Sequence, residues 1–235
     1  MKIALIGYGA MGKLIRTLAE EKGHEIAVVI DNADASLSAA QLSQKLVGCD
    51  AAIDFTTAAA VRRNVEACVS AGVPLVEGTT GWNAELDEIE RIVRDCDGAM
   101  VFGANFSIGV NLFYRIVDFA SELFAKFPEY EAFIEEQHHS RKKDAPSGTA
   151  LKLKDIVAKH IDTDFSVAAT RAGNIPGTHR VGFDGPADQV LLEHTARSRE
   201  GFAAGAILAA EWIVGKKGFY EFADVMNEIC QNRLR

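Results

Sequence analysis

A short apolar strand over Lys2–Ile6 runs into Gly7-Tyr8-Gly9-Ala10-Met11-Gly12, and helical spacing at Met11, Leu14, Ile15 and Leu18 follows at once. No other segment constrains the fold as much. In such a turn the first glycine permits the tight bend, the second lets backbone approach a pyrophosphate, and the third allows close helix–strand packing. A second apolar strand, Glu25–Ile30, ends on Asp31. That acid stands about 20 residues beyond the turn, where a partner for a ribose 2′-hydroxyl is expected. The bland alternative is a plain strand–helix turn that uses glycine for packing alone. Strand, turn, helix and acid in this order favour dinucleotide binding through Gly7, Tyr8, Gly9, Ala10, Met11, Gly12 and Asp31.

The alternation continues with a helix over 37–46, a strand over 51–55 and a helix over 58–70. A strand over 74–76, a helix over 84–94 and a strand over Ala99–Phe102 follow. Strands alternating with helices at short spacing predict a Rossmann-type, doubly wound parallel sheet with helices on both faces. The rhythm then changes. A long apolar helix over 109–124 precedes a strand over 130–137, a helix over 147–160, and strands near 165–171, 178–183 and Gln189–Thr195. This predicts a smaller α+β domain with an open mixed sheet. Two closing helices, 201–214 and 220–229, are assigned to the first domain. The expected boundaries are therefore 1–106 with 200–235 for the dinucleotide half, and 107–199 for a substrate half.

In an open α/β sheet, ligands sit at the carboxyl ends of the strands. Asp54-Phe55-Thr56, Gly78-Thr79-Thr80-Gly81 and Gly103-Ala104-Asn105-Phe106-Ser107 all fall there. Small glycine and threonine residues let a nicotinamide ring lie close to the backbone; without the cofactor turn upstream they would read as ordinary loops. Trp82 is assigned to covering the second of these loops.

The densest chemistry lies at residues 138–149, His-His-Ser-Arg-Lys-Lys-Asp-Ala-Pro-Ser-Gly-Thr. The chain has a formal net charge of −8, yet two histidines and three cations here run into a helix start. Such a start binds carboxylates through backbone N–H groups near Gly148 and Thr149. A histidine able to carry a proton at neutral pH and a lysine four residues on add acid–base capacity. Most charge runs are merely solvated faces, and taken alone the run leaves that reading and a catalytic one evenly matched. A metal site on His138, His139 and Glu135 or Glu136 is disfavoured, because adjacent strand residues point to opposite faces and no HExxH spacing is present. His24, His160, His179 and His194 are assigned structural or surface places.

The acidic balance and the lack of a long basic face argue against nucleic acid. A chain of 235 residues that is 48% hydrophobic is globular. With neither a leader nor a spanning segment, and with four dispersed cysteines, a cytoplasmic protein with reduced thiols and no membrane partner is expected.

Taken together, the glycine turn, Asp54-Phe55-Thr56, Gly78–Gly81, Ala104-Asn105-Phe106-Ser107, His138-His139 and the run Lys142–Thr149 resemble the 4-hydroxy-tetrahydrodipicolinate (dihydrodipicolinate) reductases of lysine biosynthesis. The resemblance continues through Arg171-Ala172-Gly173-Asn174-Ile175, Gly177-Thr178-His179 and Arg199, so it covers nearly the whole chain. It implies an NAD(P)H-dependent reductase acting on a small dicarboxylate imine, usually a homotetramer assembled through the substrate-domain sheets. It further implies His138 as catalytic proton donor or acceptor and Lys142 as second proton donor. His139, Gly148 and Thr149 would bind the substrate carboxylates. Gly7 to Gly12, Asp31, Gly78, Thr79, Thr80, Gly103, Ala104, Asn105 and Phe106 would contact the cofactor.

Three departures stand out. Ser140 occupies a place where many members carry arginine, the stretch from His160 to Arg171 is short, and no basic residue follows Asp31. The last favours NADH over NADPH, since Asp31 would repel a 2′-phosphate and Asn32 brings no charge to offset it.

Overall fold

The computed structural model describes residues 1–233, and the chain divides into two compact units. The first comprises Met1–Ile108 and the C-terminal segment from Glu200; the second is Gly109–Arg199.

The first unit is a six-stranded sheet built from β1 (Lys2–Ile6), β2 (Glu25–Ile30), β3 (Ala51–Asp54), β4 (Leu75–Glu77), β5 (Ala99–Phe102) and, from the C-terminal segment, Gly218–Glu221. All neighbouring pairs are parallel. The helices are α1 (Ala10–Glu21), α2 (Ala39–Leu46), α3 (Ala58–Ala71), α4 (Leu86–Asp95) and two from the C-terminal segment, Glu200–Ile213 and Phe222–Arg233. Side chains of each strand alternate between two cores, which is why the strands read as continuous apolar runs. Ile3, Leu5, Ile53 and Val101 join one core with Ile15 of α1 and the alanine-rich helix Glu200–Ile213. Ala4, Ile6, Ala52 and Met100 join the other with Leu42 of α2, Val65 of α3 and Ile89 of α4. The doubly wound parallel sheet expected from the sequence is thus present.

Helix α5 (Ile108–Phe124) leads from the first unit into the second, which continues through β6 (Glu131–His138), α6 (Gly148–Ala158), β7 (Ser166–Arg171), β8 (Thr178–Asp184) and β9 (Gln189–Thr195). Its sheet runs β7-β6-β8-β9; β6 and β7 are parallel and the other pairs antiparallel, giving the mixed sheet expected. Ala132 and Ile134 of β6 and Val181 and Phe183 of β8 pack on Phe113 and Val117 of α5 and Leu153, Ile156 and Val157 of α6. The Phe124 and Phe183 rings stack at 4.3 Å. The C-terminal strand and helices are numbered β10 (Gly218–Glu221), α7 (Glu200–Ile213) and α8 (Phe222–Arg233).

One assignment is corrected. The helix expected over 220–229 begins only at Phe222, and Tyr220 and Glu221 belong to β10. This four-residue strand pairs in parallel with β5, and Phe219 stacks on Phe102 at 4.6 Å. A run this short, merging into a helix, carries no periodicity of its own.

Candidate active site

Strand alternation decides which side chains of β6 meet. Glu136 and His138 stand two residues apart and therefore share the helix-covered face with Ala132 and Ile134. The antiparallel register sets His179 of β8 opposite Glu136, and the parallel register sets Arg171 of β7 opposite His138. Helix α6 begins beside them, with Ser147 as its N-cap accepting from the Ala150 N–H at 3.2 Å.

The Glu136 carboxylate is the hub. Its Oε1 accepts from the Ser147 N–H at 2.9 Å and from Arg171 Nη2 at 2.7 Å. Its Oε2 lies 3.3 Å from His138 Nδ1 and 3.6 Å from His179 Nε2. Burial pushes this carboxyl up, but the Ser147 and Arg171 hydrogen bonds outweigh it and hold Glu136 below the usual range, so it is ionised at neutral pH. Its side chain is completely buried, and pairing with a guanidinium plus a backbone donor is what makes such a charge tolerable.

His138 is buried, with its pKa lowered by desolvation first; Glu136 pulls it back up, while Lys142 and Arg171 push it down. Nδ1 is turned into the protein against Glu136, which leaves Nε2 as the nitrogen to meet a ligand. Gly177 lies beside that nitrogen: a Cβ there would come within 3.2 Å of His138 Nε2, and its φ of +140° is disfavoured for other residues. His179 is buried too, its rings meeting those of His138 edge-on at 5.1 Å, with Ser147 Oγ 3.2 Å from its Nε2. Desolvation, then the neighbouring His138, lowers its pKa to about 4.

Lys142 is half-buried and pairs with Asp144 at 2.9 Å, and that contact holds the Asp144 carboxyl below its ordinary value. Gly148 and Thr149 are the first two residues of α6; a Cβ on Gly148 would meet nothing within 4 Å, and Thr149 hydrogen-bonds Tyr114 of α5. His139 follows the end of β6 and is partly exposed. The structure thus gathers Glu136, His138, Ser147, Arg171 and His179 about one carboxylate, and sets Lys142, by its charge, against His138.

His179, expected at a structural or surface place, is buried in this cluster, carried there by strand register. Glu136, His138 and His179 also offer three ligand atoms within 4.8 Å of one another. The expected conflict of directions does not apply to this trio, because 136 and 138 share a face. Arg171 on the same carboxylate and Lys142 nearby nevertheless oppose a bound cation.

In the first unit, strand order β2-β1-β3 puts the topological switch between β1 and β3, and the glycine turn leaves β1 there. Gly7 has a φ of +90°, and a Cβ on it would strike the Phe55 carbonyl at 2.3 Å. A Cβ on Gly12 would strike the Gly7 carbonyl at 2.1 Å. Chain packing therefore accounts for the first and third glycines. Gly9 is different: a Cβ there meets nothing within 4 Å, so chain packing does not require the glycine. Asp31 caps the short turn Asn32–Asp34, one carboxylate oxygen accepting from the Ala33 N–H at 2.8 Å, and is exposed.

Gly78 packs beneath the Phe55 ring, and Trp82, as expected, covers this loop, donating from Nε1 to the Thr79 carbonyl at 2.8 Å. The Phe106 ring is buried against Phe55 and Phe222, so only its backbone remains for a ligand. A dinucleotide fits these residues: an open glycine turn, an acid at the second strand end and small loops beyond.

A doubly wound nucleotide-binding sheet joined to a mixed-sheet unit with a buried histidine–carboxylate cluster defines the class of two-unit nicotinamide-dependent oxidoreductases. Comparison with known proteins narrows the class. The model for "Dihydrodipicolinate reductase, N-terminus" matches residues 1–106, and that for "Dihydrodipicolinate reductase, C-terminus" matches residues 109–226. A 4-hydroxy-tetrahydrodipicolinate reductase of Christiangramia forsetii is 34% identical, covering 99% of this chain and all of the relative. One from Archaeoglobus fulgidus is also 34% identical, over 96% of this chain and 100% of its own length. In fold, the chain resembles the dipicolinate-bound dihydrodipicolinate reductase from Paenisporosarcina sp. TG-14, with a TM-score of 0.78 at 22% identity, covering 94% and 97% of the two chains. The chain belongs to the dihydrodipicolinate reductase family.

Proposed function

We propose that this chain reduces 4-hydroxy-tetrahydrodipicolinate, by way of dihydrodipicolinate, to tetrahydrodipicolinate in the diaminopimelate/lysine pathway. The observation that carries the reading is the buried Glu136–His138 pair set beside the start of α6, with Lys142 close by in charge. Reduction of a conjugated cyclic imine dicarboxylate needs a hydride, a proton and partners for two carboxylates. A bound nicotinamide supplies the hydride.

The residues supply the rest. His138 presents Nε2 to the substrate and transfers the proton, while Glu136 on Nδ1 orients the ring and stabilises its charged form. Lys142 is the second proton donor and offsets negative charge as it develops. His139 and the amides of Gly148 and Thr149 hold the carboxylates, as the first turn of a helix does. The cofactor lies along Gly7, Tyr8, Gly9, Ala10, Met11 and Gly12, with its ribose on Asp31 and its nicotinamide near Gly78, Thr79, Thr80 and the backbone of Gly103, Ala104, Asn105 and Phe106.

NADH is the preferred cofactor. The assembly is a homotetramer formed through the four-stranded sheet, a reading supported by the exposed apolar Leu191 on the face of β9 turned away from the helices. Among the described residues no helix is long and apolar enough to cross a membrane; a cytoplasmic setting follows from the reaction. The test is direct: the purified protein oxidises NADH or NADPH when given freshly made 4-hydroxy-tetrahydrodipicolinate, and absence of such oxidation overturns the assignment.

A further inference from the structure

Two acids at the ends of β3 and β4 have no part in the chemistry above. Asp54 and Glu77 are direct neighbours in the parallel register, so their side chains leave the sheet on the same face. Both are fully buried, beneath α3. Their outer oxygens are satisfied: Asp54 Oδ2 accepts from Asn64 Nδ2 at 2.7 Å, and Glu77 Oε1 accepts from the Thr79 N–H at 2.7 Å. Their other oxygens, Asp54 Oδ1 and Glu77 Oε2, are buried and make no hydrogen bond among the described residues. A buried oxygen without a donor is costly, and two neighbouring anions more so. One proton between these two oxygens removes both difficulties.

We propose that Asp54 and Glu77 share a single proton, Glu77 O–H donating to Asp54 Oδ1, and that this pair is the positioning device for the loops at the nicotinamide end of the cofactor crevice.

The groups facing the pair fit a net charge of −1. From α3 come Asn64, the neutral Cys68 thiol, whose pKa burial pushes up, and Arg63, whose guanidinium is held by Asn64 Oδ1 and the carbonyls of Ala35 and Leu37. Among the described residues no cation pairs with either carboxyl, and Arg63 acts on Asp54 by its charge alone. Burial raises both acids, and Asp54 raises Glu77 further, which puts the proton on Glu77. The loops follow from the pair. Thr79, held by Glu77, accepts from the Thr56 N–H at 3.0 Å; Asn64, held by Asp54, reaches Thr56 Oγ1 at 3.3 Å. The two strand-end loops are thus tied to one another through the protonated pair, and the functional half of the inference rests on the cofactor reading above.

The discriminating experiment is a double-variant cycle on the whole protein. Glu77→Gln keeps a donor in the gap, its amide replacing the O–H. Asp54→Asn does the same from the other side, leaving Glu77 ionised. The double variant cannot: Asn64 and Thr79 claim the two amide oxygens, so two NH2 groups face each other. Each single variant should bind NADH within about threefold of the parent. The double should bind more weakly by about tenfold or more beyond the product of the singles, about 1.4 kcal/mol of coupling.

Additive effects overturn the shared proton. Infrared spectra of the cofactor-free protein at neutral pH should show a protonated-carboxyl C=O band that Glu77→Gln removes, and lack of that band also overturns it. Should the double variant fail to fold, Glu77→Val replaces it; NADH binding weakened by Val and restored by Gln is expected, and equal binding by the two rejects the positioning role. If the band is present but the parent binds neither NADH nor NADPH, the pair stands and the cofactor reading falls.

Discussion

Glu136 Oε2 lies 3.3 Å from His138 Nδ1, two residues away on the same strand face. The same carboxylate is gripped from the far side by Arg171 and the Ser147 N–H, so it cannot turn away from the ring. A strand pair with period 2 and a helix N-cap together set this carboxylate beside Nδ1 of one imidazole, at ion-pair distance and without a hydrogen bond between them.

Glu136→Gln tests that arrangement. The amide keeps the size but loses the charge that favours the imidazolium, and Arg171 loses its counter-ion. Turnover should fall by about tenfold or more, about 1.4 kcal/mol in the transition state, with a smaller change in substrate KM. Unchanged kcat would show that the carboxylate is only a packing element.

His138→Gln should lower kcat by about 10²–10⁴ with modest loss of substrate binding, the usual worth of a positioned proton-transfer group. Lys142→Ala should also lower kcat, because it removes a cation whose partner, Asp144, is exposed and easily exchanged for substrate. Steady-state kinetics on both variants checks this. Near-parental turnover in His138→Gln removes it from the proton-transfer role.

The lowered pKa of His138 has a consequence for binding. At neutral pH the free protein carries this ring uncharged, and a bound dianion favours the charged form. Binding of pyridine-2,6-dicarboxylate near pH 7 should therefore take up as much as about one proton. Calorimetry in two buffers of different ionisation enthalpy measures it. Equal uptake in His138→Gln would assign the proton elsewhere.

Much of the fold is legible in the sequence because strands buried on both faces read as apolar runs, and Gly7, Gly9 and Gly12 mark where the first of them ends. Within the site, His138 and Lys142 stand out for the same reason: they fall in one local run that ends at a helix start. Arg171 and His179 do not, since strand pairing over more than thirty residues of intervening chain brings them to Glu136. Period 2 counted back from His138 would have placed Glu136 on its face. Asp54 and Glu77 each look like an ordinary polar strand end until the register makes them neighbours.

His179 should make stability depend on pH. Its pKa is 6.5 when unfolded and about 4 in the fold, so the unfolded chain binds more protons between those values. Stability is then fully present above about pH 6.5 and declines as pH falls towards 4, by at most about 3 kcal/mol. Denaturant midpoints at about pH 4.5 and 7 measure the slope, which His179→Gln should flatten. An equally steep decline in that variant would transfer the effect to other groups.

Cofactor preference turns on the residues around Asp31. Its carboxylate caps the turn Asn32–Asp34 with one oxygen, so it is held at the end of β2 with an oxygen left for a ribose hydroxyl. A 2′-phosphate placed there would meet that negative charge. Lys45 and Arg63 bond the segment just after Asp31 and both are engaged: Lys45 pairs with Asp34, and Arg63 donates to the Ala35 and Leu37 carbonyls. Recruiting either for a phosphate breaks an existing contact. NADH should therefore be used with a higher kcat/KM than NADPH, and Asp31→Ala should narrow or reverse the ratio by removing the repulsion. Parallel steady-state measurements with the two cofactors decide it; an NADPH preference of about tenfold or more, about 1.4 kcal/mol, would mean that Lys45 or Arg63 leaves its partner for the phosphate.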